Sequence, residues 1–152
     1  MNNLKLNQLH PGSKIILISF FVLILVGLLL SMSTASKTVK IRQEKAKTLG
    51  VKYDDFFDED DKFLHFKDAH VHLFGHALVY LSVATVFCFS GAKEVYKILT
   101  GVIMLITLLV HTYALINLKI PIEIVAMVVY TLLLIYMMLS SVIAMYRKEG
   151  KD

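Results

Sequence analysis

Four long apolar stretches constrain the fold of this 152-residue chain more than any other feature. A helix needs about 20 mostly apolar residues to cross a hydrocarbon core of about 30 Å. The chain is 57% hydrophobic and only 18% charged, which is too apolar for an ordinary soluble domain. We therefore expect a single membrane domain over residues 1–152. The four stretches predict helices over residues of about 15–34, 69–92, 95–118 and 120–146.

The connections between these stretches indicate how the helices are arranged. Only a few residues separate the second, third and fourth stretches, and Pro121 suits the first turn of a helix. Such short links make consecutive helices antiparallel neighbours. The one sizeable hydrophilic segment, residues 37–68, is predicted to be a solvated helix-turn-helix cap or, alternatively, a docking surface for a basic partner. The fold class is therefore an all-α, integral membrane, up-and-down four-helix bundle with one hydrophilic loop between helices 1 and 2.

The first stretch and the orientation of the chain each allow two interpretations. Ser33, Thr34 and Ala35 resemble a signal-peptidase site, and cleavage there would leave three helices, but we expect the first helix to be retained. With the N-terminus inside, the 16 Lys and Arg residues divide almost evenly between the two sides. The basic tail from Arg147 to Lys151 favours cytoplasmic termini in a cell inner (plasma) membrane.

Several classes of function are excluded or disfavoured by composition. The single cysteine, Cys88, excludes a disulfide framework and a cysteine-based zinc site within one chain. The basic residues lack the interleaved aromatics of a nucleic-acid surface. No catalytic triad, phosphate loop or HExxH sequence is present. We expect a binding protein rather than an enzyme, with the lipid bilayer as its surroundings and a larger respiratory complex or a second copy as its partner.

Ionisable side chains lie inside the predicted second helix, where they indicate a functional site. Successive turns of a helix bring every fourth residue to one face, which gives a polar stripe. At about 1.5 Å per residue, His76 of the second helix and His111 of the third lie at a similar depth. The fourth helix begins on the same side. The residues expected to share one pocket are Asp68, His72, His76, His111 and Glu123.

These residues leave several interpretations open. The first is haem b, with His76 and His111 as axial ligands, or His72 with His111, and with Tyr80 and Tyr113 lining the pocket. The second is a transition-metal ion such as Zn, Fe or Cu, because imidazole and carboxylate ligands suit these metals. A proton relay or quinone site is a third. In the fourth, no cofactor is bound and the polar side chains hydrogen-bond across helices. The metal ligands of the second interpretation are Asp68, His72, His76, His111 and Glu123.

The stretch from Ala69 to Gly75 resembles the Ala-His-x-His-Leu-x-x-Gly helix motif of haem-copper oxidase subunit I relatives and of associated small haem or copper membrane proteins. The resemblance implies a haem-binding membrane protein or an accessory subunit in a respiratory or nitric-oxide-related pathway, with His70 or His72 as the matching histidine. The chain lacks the further helices and histidines of a full oxidase. The resemblance therefore concerns cofactor binding, not oxygen reduction.

Taken together, these features predict a small multi-pass membrane protein. We expect it to bind haem b or a transition metal near one membrane face and to act in electron transfer or as an accessory subunit of a respiratory complex. The alternatives are a cofactor-free structural or assembly subunit, and a metal or proton transporter.

Overall fold

The computed structural model describes residues 5–51, 59–117 and 119–147. Within these residues the chain is entirely helical, with one short 3₁₀ helix, Leu6–Gln8, before four α-helices. All four α-helices contain a segment long and apolar enough to cross a membrane. The predicted helical class and the four candidate spans are confirmed. The helices are α1 (Pro11–Leu49), α2 (Glu59–Cys88), α3 (Glu94–Ile116) and α4 (Ile120–Tyr146).

The candidate spans keep much of their apolar surface on the outside of the molecule. They cover Pro11–Leu30, Ala69–Cys88, Glu94–Ile116 and Ile120–Tyr146, and in each one most side chains are not buried. A soluble protein of this size rarely exposes large contiguous apolar patches. This surface is the kind that suits contact with lipid.

Helix α1 extends far beyond its predicted end at residue 34. It continues to Leu49, into the hydrophilic segment 37–68, because the Lys, Glu and Gln residues there are polar but favour helix, as does Ala46. The helix ends at Gly50, whose φ of 70° lies in the left-handed region that favours glycine. Helix α2 begins at Glu59 instead of residue 69. Residues 37–49 and 59–68 of the predicted helix-turn-helix cap are therefore helical, whereas its acidic residues 54–58 lie outside the described residues.

Hydrogen bonds join the start of α1, and the residues just before it, to the end of α4. The Lys14 ammonium donates hydrogen bonds to the carbonyl oxygens of Met145, at 2.8 Å, and Asn7, at 2.9 Å. The Asn7 amide donates to the carbonyl oxygen of Arg147 at 3.4 Å. The last carbonyls of a helix have no partner within the helix, and a cation near them is favourable. Lys14 therefore provides a hydrogen-bond donor for a carbonyl oxygen at the end of α4 and holds the start of α1 beside it.

Helices α2, α3 and α4 pack against one another, whereas α1 packs mainly on α4. Ring contacts give the direction of packing. His76 and Phe87 of α2 contact Tyr130 and Tyr136 of α4, in that order, so these two helices run in the same direction. Helix α3 lies between them in sequence and contacts both. The buried core includes Phe21, Leu28, Val83, Phe87, Met104, Leu108, Tyr130, Leu134, Met137 and Met145.

Candidate functional site

The site is built around a pair of histidines from adjacent helices. The rings of His76 on α2 and His111 on α3 meet edge to face, with 5.3 Å between their centroids and 67° between their planes. The two residues are 35 positions apart in the chain, and the short connection between α2 and α3 returns the backbone to the same level. The structure thus brings together His76 and His111, which the sequence analysis had paired because they lie at a similar depth in their helices. Their role as ligands stays a prediction.

The nitrogens of this pair are largely unpartnered. His111 is only 5% exposed, and both of its ring nitrogens are buried without a hydrogen bond. Nδ1 of His76 is buried and unpartnered as well. Buried polar groups are nearly always hydrogen-bonded, and leaving one unpaired costs about 1–3 kcal/mol. An imidazole whose buried nitrogens lack hydrogen-bond partners can bind a ligand at those nitrogens.

His72 extends the pair along α2 towards the outside. Its ring lies 5.6 Å from the His76 ring at 36°, one helical turn earlier, and its side chain is exposed. The three histidines therefore form a row that passes from the surface to the interior. Among the residues that the structure describes, no three His, Cys, Asp or Glu side chains converge on one point. The side chain of Asp68, the remaining member of the predicted stripe, lies outside the described part.

Glu123 lies at the start of α4, beside the histidine pair. It belongs to the first turn of that helix and is half-buried. Its backbone interacts with the His111 imidazole, although no hydrogen bond of ordinary geometry forms between them. The predicted approach of α4 to the site is therefore observed for the backbone at this position.

The two tyrosines predicted to line a cofactor pocket occupy different surroundings. Tyr80 is half-buried, one turn after His76, and its hydroxyl lies over Gly101 of α3, 3.4 Å from where a Cβ atom would stand. Tyr113 is 60% exposed. Two residues along a helix turn the side chain by about 200°, so Tyr113 faces away from the side of α3 that carries the buried His111. The structure brings Tyr80 near the α2–α3 contact and leaves Tyr113 on the outer surface.

Tyr130 of α4 is part of this site, and the sequence reasoning missed it. The residue is 1% exposed, and its ring lies 4.9 Å from the His76 ring. Its hydroxyl donates a hydrogen bond of 2.9 Å to the backbone carbonyl of His76. A signal was available, because Tyr130 follows Glu123 by seven residues, or two turns, and so shares its helical face. Tyr130 fixes α4 against the turn of α2 that carries His76.

An open groove borders the site where α1 and α2 diverge. It has a volume of about 500 Å³, within the range of small-molecule sites. Apart from His72 and His76, every residue that lines it is apolar or glycine. Among the described side chains that line it, those of His72 and His76 are the polar ones.

Comparison of the chain with protein-family models, with curated proteins and with solved structures finds no match. The function is therefore argued from the geometry and chemistry of the site itself.

Proposed function

We propose that this chain is a multi-pass protein of the cell inner membrane that binds a transition-metal ion through His76 and His111. In this proposal the helices form an up-and-down bundle with both termini in the cytoplasm. The protein acts in electron transfer or as an accessory subunit of a larger respiratory complex. The observation that carries the proposal is the buried His111, whose two nitrogens have no partner and whose ring contacts that of His76.

The spacing of the two rings favours an ion over a haem held between them. With a metal–nitrogen bond of about 2.0 Å and a ring centroid about 1.1 Å beyond the nitrogen, two imidazoles on one tetrahedral ion have centroids about 5 Å apart. Two axial imidazoles on opposite faces of a haem iron have centroids about 6 Å apart, with the macrocycle between them. The observed 5.3 Å is close to the first value, and the edge-to-face contact leaves no slot for a macrocycle.

In the proposal, two more residues complete the ligand set when the ion binds. His72 and His76 stand four residues apart on α2, the spacing with which one face of a helix supplies two imidazoles to a metal. Rotation of the exposed His72 side chain towards His111 would give three imidazole ligands, and the start of α4 would contribute Glu123. Imidazole suits zinc, copper and iron, and of these copper and iron support electron transfer. The proposed ligands are His72, His76, His111 and Glu123.

A transport role is less well supported. A path through the membrane needs polar groups along its length or interrupted helices at the midplane. Beyond Tyr80 on α2, and between Lys97 and His111 on α3, the candidate spans carry no charged side chain or histidine. The histidines of α2 and α3 and Glu123 of α4 therefore lie in one half of these helices, as a binding site near one face requires.

Metal content tests the proposal. The protein is purified in detergent, stripped with a chelator and reloaded separately with Cu, Fe and Zn, and bound metal is measured by mass spectrometry. We expect about one ion per chain, lost in both His76→Ala and His111→Ala. His70→Ala is the matched control, because His70 lies on the same helix but is exposed and outside the histidine pair.

Two results would overturn the proposal. One is a chain that binds none of the three metals at stoichiometric levels. The other is metal binding that survives both His76→Ala and His111→Ala. A visible spectrum of protein produced with haem supplied is recorded on the same preparation, and a Soret band that depends on both histidines would replace the ion with haem b.

A further inference from the structure

The groove between α1 and α2 forms an open slot. One wall belongs to α1 and the other to the turn of α2 that carries the histidines. Gly27 stands on the first wall and Gly75 on the second. A Cβ atom added at either glycine would meet nothing within 4 Å. The two glycines therefore keep open a space that ordinary side chains would fill. The lining residues are Phe20, Leu23, Ile24, Gly27, Leu28, Val71, His72, Gly75, His76 and Val79.

The polar part of this slot is confined to one place. His72 and His76 present imidazole groups to a wall whose other described side chains are hydrocarbon, and their rings are 5.6 Å apart. A neutral imidazole offers one N–H donor and one acceptor. An occupant that satisfies this wall needs an apolar body with a hydrogen-bond acceptor at one end. A lipid acyl chain has the apolar body but no acceptor.

We propose that the groove binds the head group of an isoprenoid quinone, with a quinone carbonyl oxygen accepting a hydrogen bond from His72 or His76. The flat ring lies against Gly27 and Gly75, where the absence of side chains leaves space for it on both walls. The groove is open along its side, so the isoprenoid tail continues over the apolar surfaces of α1 and α2. Phe20 and Val79 close the slot with apolar contacts.

This binding site overlaps the ion site proposed above, because His72 and His76 take part in both. His111 does not line the groove. Loss of the ion by substitution of His111 therefore leaves quinone binding intact, and the two proposals fail independently.

Quinone binding is measured on the full-length protein in lipid nanodiscs, with empty nanodiscs as the background. The probes are tritiated decylubiquinone and a short-chain menaquinone analogue, and an azido-quinone maps the labelled peptides. We expect saturable binding of about one quinone per chain, with label on the α1 and α2 segments that line the groove. Gly75→Leu and Gly27→Leu should each weaken binding at least tenfold, because the new side chain occupies the slot without striking a neighbour.

Matched variants separate the groove from general effects on the protein. Val128→Leu adds bulk to an exposed position of α4 outside the groove and should leave the dissociation constant unchanged. His72→Phe keeps an aromatic ring but removes the donor, and should weaken binding several-fold. His111→Ala should lose the ion and keep the quinone.

Three results would overturn the quinone site. Binding no greater than in empty nanodiscs is the first. Unchanged affinity in both glycine variants is the second. Label spread evenly over all four helices is the third, and it would indicate that only lipid chains enter the groove.

Discussion

Replacement of His111 by leucine should make the metal-free protein more stable. The two side chains are similar in volume, and His111 is 5% exposed in an apolar layer. Both ring nitrogens are buried without partners, and each unpaired polar group costs about 1–3 kcal/mol. Polar contacts within membranes are worth less, on average about 0.6 kcal/mol. We therefore expect a gain of about 1 kcal/mol, or about 2–4 °C in Tm for a chain of this size.

The sign of this effect should reverse when metal is added. A ligand at 100 times its dissociation constant stabilises the folded state by about 2.7 kcal/mol. The native protein gains this stabilisation and His111→Leu does not, so the native protein becomes the more stable of the two. Thermal unfolding in detergent, followed by circular dichroism with a chelator and then with the ion, measures both differences.

A buried polar residue on the same helix provides the control. Thr107 is 7% exposed, and its hydroxyl donates a hydrogen bond to the Ile103 carbonyl at 2.8 Å. Thr107→Val removes a satisfied group and should not raise the Tm. If His111→Leu lowers the stability of the metal-free protein by 1 kcal/mol or more, the imidazole has a structural partner. The reasoning that makes His111 a ligand would then be refuted.

Two further substitutions test the contacts around the site and at the chain ends. Tyr130→Phe keeps the ring and removes the hydrogen bond to His76, which should cost about 1 kcal/mol of stability and weaken metal binding about tenfold in a metal titration. Tyr136→Phe, at a 41% exposed position, is its control and should change neither quantity. Lys14→Met removes two hydrogen bonds to carbonyl oxygens and should lower stability by about 1–2 kcal/mol in thermal unfolding, with faster proteolysis before α1.

For each of these substitutions, one result would contradict the role that we assign to the side chain. Equal effects of the substitutions at Tyr130 and Tyr136 would mean that the bond to the His76 carbonyl does not hold the ring in place. An unchanged Tm in Lys14→Met would mean that α1 is held to α4 by apolar contacts alone.

The helical class was readable from the sequence because the apolar stretches have the length of a membrane-spanning helix, and few other structures suit apolar stretches of that length. The end of α1 could not be read from the sequence in the same way. Hydropathy locates the boundary of an apolar segment, whereas a helix continues as long as its residues favour helical backbone, as those before Gly50 do. The predicted boundary at residue 34 was therefore wrong, since it followed polarity.

The candidate site was predictable in part. A rise of 1.5 Å per residue was enough to pair His76 with His111, because two helices joined by a short link stay in register. Which way each side chain faces depends on the rotation of its helix, and only packing determines that rotation. Once packing has placed His111 and Glu123 at the site, helical spacing puts Tyr113 on the outer surface and Tyr130 on the face of Glu123.

The contacts between Lys14, Asn7 and the last residues of α4 have a practical consequence for experiments. They bring the two ends of the described chain, near Lys5 and Arg147, to the same end of the helices. We therefore predict that a reporter fused before α1 and one fused after α4 report the same side of a bilayer. One measurement of reagent accessibility at either end would then assign each connection between consecutive helices to a side of the membrane. It would also show which side of the membrane is nearer to the histidine row.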